Sequence, residues 1–226
     1  MSEGPVFPYG EEEIVHLTKR DAVLGAAIAA IGPIERTVIP DLFTALANAI
    51  VGQQISTKAQ ATIWARLLER VGPVTPAAIL ALAPEALQAC GLSFRKVEYI
   101  REIAAAVTGG ELNLEALPFL PDEAIAQRLS QLRGIGVWTA EMLMTFSMLR
   151  PNIISRGDLA ILRGLRMLYR HREITPALFA HYQRRYAPYA TTASLYLWAI
   201  AGGALPELSD PAVIRKTGIS AARKVE

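Results

Sequence analysis

The chain is poor in the residues that build covalent or metal-held scaffolds. Among 226 residues there is one cysteine, Cys90, and there are three histidines. One cysteine excludes an internal disulfide, a cysteine-rich zinc site and a cysteine-ligated iron–sulfur cluster. His16, His171 and His181 lack metal-ligand spacing and read as surface residues. No apolar run is long and clean enough to span a bilayer, and the opening MSEGPVFPYGEEE is acidic rather than basic-then-apolar, so neither a membrane segment nor a signal peptide is expected. A reducing cytoplasm is the simplest compartment. Period-two alternation is also missing; the best strand candidate is Asn152–Ser155.

What is present is globular: 52% hydrophobic residues, 19% charged, and a net charge of only +2. That small number hides a split. Residues 1–41 hold seven acids against Lys19, Arg20 and Arg36, whereas residues 133–185 hold nine arginines against Glu141, Asp158 and Glu173, and no lysine. Arginine forks onto phosphate oxygens, so a polyanion is one reading of the basic segment. The other is a solvated stripe, since Arg163, Arg166 and Arg170 share a helical face.

Helix starts recur at Asp41, Thr75-Pro76, Ala83-Pro84, Pro121-Asp122-Glu123 and Thr175-Pro176, where a capping residue or acid meets a proline near the first turn. Gly91, Gly109-Gly110 and Gly202-Gly203 read as helix ends. The expected class is all-α with short loops. Trp64, Trp198, Glu141 and Tyr196 read as core positions, and Cys90 as a small buried hydrophobe.

One stretch asks for more than packing. In LRGIGVWTAEMLMTF, Leu132–Phe146, one helix ends near Gln131-Leu132-Arg133, Gly134-Ile135-Gly136 turns, and a second helix follows. Glycines there permit positive φ and leave no Cβ in front of the backbone. Amides at the new helix N-terminus favour a phosphate, with Ile135 as the inward pin. The competing reading is an ordinary tight corner between helices. Downstream, Asp158 in RGDLAI reads equally as a helix N-cap.

These motifs together carry a resemblance. LRGIGVWTAEMLMTF followed by IISRGDLAI, with AIVGQQIS (49–56) and YAPYATTASLYLWA (186–199), resembles the helix-hairpin-helix base-excision DNA glycosylases over roughly residues 40–205. Within them it is most similar to the 3-methyladenine DNA glycosylase II group. The resemblance implies two helical subdomains with the active-site cleft between them. Residues 1–40 would pack with the C-terminal subdomain, 41–150 would carry the hairpin (130–146), and 151–226 would complete the second subdomain and carry the catalytic aspartate. The N-terminal β-rich domain of the bacterial group has too few residues before 40 to form.

By resemblance Asp158 is the catalytic carboxylate, and Gly134, Ile135 and Gly136 form the phosphate-binding hairpin. The backbone carbonyls of Ser130, Leu132 and Ile135 would hold a Na⁺ or K⁺, with no other cofactor required. Gln54 matches the wedge that fills the gap left by the extracted base, a position that is apolar in the bacterial enzyme of this group. Trp138 and Tyr189 match aromatic pocket positions, and Met142 stands where another aromatic is usual. Arg133 and Arg156 are further DNA-binding candidates.

Bifunctional members of the superfamily, such as endonuclease III and the 8-oxoguanine glycosylases, carry a sugar-attacking lysine at the hairpin position occupied here by Trp138. Tryptophan forms no Schiff base. The resemblance thus implies a monofunctional hydrolase without lyase activity that flips and removes alkylated bases of the 3-methyladenine and 7-methylguanine type. It would act as a monomer on double-stranded DNA, in the bacterial cytoplasm at the nucleoid. A glycosylase for other damaged or mismatched bases, and a non-catalytic helix-hairpin-helix DNA-binding protein, stay open as alternatives.

Overall fold

The computed structural model describes residues 4–212. Within them lie twelve α-helices and one short 3₁₀ helix; the sole extended pairing is an isolated antiparallel bridge, Val6 with Thr37. The described residues form two compact units, one continuous, Val38–Leu149, and one drawn from the chain on either side of it.

The flanking unit holds α1 (Glu11–Arg20) and α2 (Ala22–Ile31). The continuous unit holds α3 (Leu42–Gly52), α4 (Thr57–Val71), α5 (Pro76–Ala81), α6 (Pro84–Gln88), α7 (Phe94–Thr108), the 3₁₀ turn Leu117–Phe119, α8 (Asp122–Ser130) and α9 (Val137–Phe146). The chain then returns to the flanking unit with α10 (Leu159–Tyr169), α11 (Pro176–Tyr186) and α12 (Ala190–Ala201).

Local chemistry sets most of these boundaries. The side chains of Asp41, Ser56, Thr75, Ser93, Asp158 and Thr175 each accept a backbone amide from the first turn of the helix they precede. Pro76, Pro84 and Pro176 stand in first turns, where their missing N–H costs nothing. The core of the continuous unit gathers Leu46, Ile50, Leu67, Ile79, Ile100, Leu117, Ile125, Leu129 and Ala140, all essentially sealed from solvent.

In the flanking unit α12 is the central rod: ten of its twelve residues are buried, so it is enclosed around nearly its whole circumference. It meets α10 at Gly164, where a Cβ would fall 2.4 Å from the Leu197 carbonyl oxygen, so only glycine allows that approach. The best strand candidate, Asn152–Ser155, forms no strand, in keeping with the all-α expectation. Those residues run as irregular chain whose polar groups bond to a helix instead of a ladder. Ile153 N–H donates to Thr191 Oγ1 at 2.8 Å, and Ser194 Oγ donates to the Ile153 carbonyl at 3.1 Å. Helix α8 also stops at Ser130, slightly before the expected Gln131–Arg133.

The histidines are more engaged than their spacing suggested. His16 Nε2 lies 3.0 Å from the Ala187 carbonyl and His171 Nε2 lies 2.7 Å from the Tyr182 hydroxyl, while His181 is exposed. Tyr196 and Cys90 are buried; Trp64 and Trp198 are only half-buried, at the margin of the core. Among the described residues no group of His, Cys, Asp or Glu could hold a metal ion, and no helix is long and apolar enough to cross a membrane.

Candidate active site

The hairpin separates its two glycines by role. Gly134 adopts φ +87°, and a Cβ there would stand 2.3 Å from the Tyr99 ring, so both backbone and packing require glycine. Ile135 closes the turn by donating to the Leu132 carbonyl at 3.0 Å and is buried. Gly136 is extended rather than left-handed (φ −90°, ψ 172°) and serves as N-cap of α9 without a side-chain cap; its missing Cβ faces open space. One glycine makes the turn and the other clears the approach to the first amides of α9.

Arg133 is exposed and already engaged: its guanidinium bonds Glu102, lies 4.0 Å from Glu98, and stacks 5.3 Å over the Tyr99 ring. Trp138, in the first turn of α9, is 48% exposed, a large ring presented to solvent; Met142 is half-buried one turn on. In the same unit Gln54 is exposed at φ +57°, a conformation that non-glycine residues rarely adopt. Its neighbour Gln53 donates from Nε2 to the Gly134 carbonyl at 2.6 Å, tying the Gln54 turn to the hairpin.

The flanking unit carries the other candidates. Asp158 is the N-cap of α10 and only 8% exposed; its Oδ1 accepts the amides of Ala160 at 2.8 Å and Ile161 at 3.0 Å. The capping geometry gives the carboxylate one orientation. Leu159 beside it is 80% exposed and Arg156 is exposed. Tyr189 caps α12, and its hydroxyl donates to Glu12 Oε1 at 2.5 Å while its ring meets His16 edge-on. The bond to Glu12 raises the Tyr189 pKa above its ordinary value.

The nine-arginine segment is neither a uniform phosphate grip nor a solvated stripe. Arg166 forks onto buried Asp210 at 2.8 and 2.5 Å, with Arg163 at 4.0 Å, and Arg185 bonds buried Asp21 at 2.9 Å. Asp21 also caps α2 and accepts the Tyr169 hydroxyl at 2.8 Å, which in turn meets the Tyr186 hydroxyl at 2.7 Å. The long-range roles of Asp21, Glu12, Asp210 and Gln53 carried no local signal in the sequence, because each depends on a partner far along the chain.

A family model for the HhH-GPD superfamily of base excision DNA repair proteins matches residues 47–187, a span that contains the Gln54 turn, the hairpin and Asp158. The chain belongs to this superfamily. The DNA-3-methyladenine glycosylase 1 of Schizosaccharomyces pombe is 35% identical over 158 residues, 68% of this chain and 69% of that protein. Among solved structures, a DNA-3-methyladenine glycosidase from Bacillus halodurans superposes with a TM-score of 0.81 at 33% identity, covering 93% of this chain and 99% of the other. A Schizosaccharomyces pombe 3-methyladenine DNA glycosylase in complex with abasic DNA follows with a TM-score of 0.74 at 30% identity, covering 85% and 97%. This HhH-GPD member thus shares its all-helical fold with the Bacillus halodurans structure over 93% of its own length.

Proposed function

We propose that the chain is a monofunctional DNA glycosylase of base excision repair that hydrolyses the N-glycosidic bond of alkylated bases in duplex DNA. The observation that carries this reading is Asp158, a nearly buried carboxylate oriented by two amides at the start of α10, in a chain whose hairpin clears a helix N-terminus for phosphate.

Breaking the glycosidic bond develops positive charge on the deoxyribose, and the Asp158 carboxylate stabilises that oxocarbenium-like state. The same group orients the attacking water and accepts its proton. A purine methylated at N3 or N7 is already cationic and departs without strong acid catalysis. The base must first leave the stack, at a cost of a few kcal/mol. Gln54 is the wedge in this reading, and Trp138, Tyr189 and Met142 meet the flipped base. Tyr189 would reach it through its ring, since its hydroxyl is held by Glu12. Gly134, Ile135 and Gly136 grip the backbone, with Arg156 beside Asp158 as a phosphate contact. Arg133 contributes less, because Glu102 and Glu98 offset its charge.

The alkali-ion assignment fits the donor chemistry: neutral oxygens suit a weakly held monovalent cation, and Ser130 Oγ is buried without a hydrogen-bond partner at the same turn. Ser130, Leu132 and Ile135 would supply the carbonyls, and the ion would add positive charge for a phosphate.

Asp158→Asn should leave the fold and duplex affinity unchanged but lower single-turnover release of 7-methylguanine by about 10²-fold or more. Strands should break only after alkali, and borohydride should trap no covalent adduct. An Asn variant at wild-type rate would overturn the catalytic assignment, and efficient trapping would overturn the absence of lyase chemistry.

A further inference from the structure

Lys96 is a half-buried lysine that the proposed chemistry leaves unused. It lies in the first turn of α7, where the helix dipole disfavours a cation. Burial lowers its pKa. A lysine of that kind suits either of two tasks: attack on a sugar carbon, or support of neighbouring backbone. The hydrogen bonds decide. Its Nζ donates to the carbonyls of Val51 and Gln53, each at 2.8 Å, which lie at the C-terminal end of α3 where carbonyls lack helical partners.

Those two bonds sit immediately before the left-handed Gln54. Gln53 continues the path, since its side chain donates to the Gly134 carbonyl. Helix α7 closes the circuit from the other side: Tyr99, one turn beyond Lys96, is the ring against which Gly134 packs. The Gln54 turn and the hairpin are therefore both referenced to α7, one through Lys96 and the other through Tyr99, and to each other through Gln53.

We propose that Lys96 and Gln53 are positioning residues that brace the Gln54 turn against the hairpin, so that wedge insertion and phosphate grip are coupled. This rests on the reading of Gln54 as the wedge and Gly134–Gly136 as the grip. A braced turn favours a single wedge geometry, and loss of such geometry slows a reaction more than it weakens initial binding.

The test uses the full chain with Lys96→Met, Lys96→Arg, Gln53→Ala and the Met/Ala double variant. Single-turnover excision of 7-methylguanine at saturating enzyme should fall about tenfold in Lys96→Met, with undamaged-duplex affinity changed less than about threefold. Lys96→Arg, which keeps charge and donors, should recover most of the rate. The double variant should be no slower than the slower single one, because both act on one path. Amide exchange should quicken at residues 52–56 and 132–136 and nowhere else in 38–149. A multiplicative double variant, a wild-type rate in Lys96→Met, or a uniform rise in exchange would overturn the brace. A borohydride adduct present in the wild type and lost in Lys96→Met would make Lys96 a nucleophile instead. If the wild type released no alkylated base, the proposed function would fail, while the exchange pattern would still decide for or against the brace.

Discussion

At the scale of single residues, Gly134 and Gly136 look alike in the sequence and differ in what each does. Gly134 is held by its own backbone and by Tyr99, so a methyl group meets both a left-handed φ and an aromatic wall. Gly134→Ala should cost about 2–4 kcal/mol, combining the left-handed penalty with overpacking, and urea unfolding would measure it. Gly136 is extended and faces open space, so Gly136→Ala should unfold like the wild type yet bind damaged and undamaged duplex more weakly. If Gly136→Ala bound DNA normally, the hairpin would be only a corner. Asp158 is the complementary case. Its motif supported both a cap and a catalytic group; the structure shows the cap, and in the proposed function the same two amides would orient the carboxylate for catalysis. The left-handed conformation of Gln54 and the circuit through Gln53 were hidden, since nothing in AIVGQQIS reveals which glutamine turns outward and which turns toward the hairpin.

At the scale of elements, helix starts were legible because a cap acts within three residues of itself; Asp41, Thr75-Pro76 and Thr175-Pro176 all begin helices. Partners across elements were not legible. Asn152–Ser155 is only the best strand candidate in a chain that reads as all-α; Thr191 and Ser194 of α12 satisfy its backbone, and side chains some forty residues away leave no trace in the run itself. Arg166, which the sequence leaves open between a phosphate contact and a solvated stripe, is similar: neither reading includes Asp210, which lies beyond the end of α10. That pair makes a pH prediction. The Arg166 bond holds the Asp210 carboxyl below its ordinary range. A depressed folded pKa stabilises above the unfolded pKa, near 4, and the benefit is lost as pH falls through the folded value. Asp210→Asn should therefore cost about 2 kcal/mol at neutral pH, the scale of a hydrogen bond to a charged group. The gap to wild type should narrow steadily below about pH 4. Thermal melts from pH 7 to pH 3 would check this, and a gap that stays constant would mean that Asp210 contributes shape alone.

At the scale of the whole molecule, the opposed charge blocks read from the sequence are partly consumed by the fold. The acidic N-terminal segment supplies Asp21 to Arg185 and Glu12 to Tyr189, so its negative charge neutralises and positions groups from the last third of the chain. Of the nine arginines in 133–185, Arg133, Arg166 and Arg185 are bonded to carboxylates, while Arg156, Arg170, Arg172 and Arg184 are exposed. A count of charges therefore overstates the electrostatic grip on DNA. Each phosphate neutralised by a cation contributes about −0.9 to the slope of log binding constant against log salt, whereas a contact from a backbone amide releases no such counterion. Arg156→Gln should thus make the slope shallower by about 1, at similar cost on damaged and undamaged duplex. Arg166→Gln should leave the slope unchanged and lower stability instead, because its charge is spent on Asp210. Fluorescence titrations from about 50 to 200 mM salt resolve the difference. Equal changes of slope for the two variants would mean that DNA binding draws Arg166 away from Asp210, and that the carboxylate stores the cation rather than cancelling it.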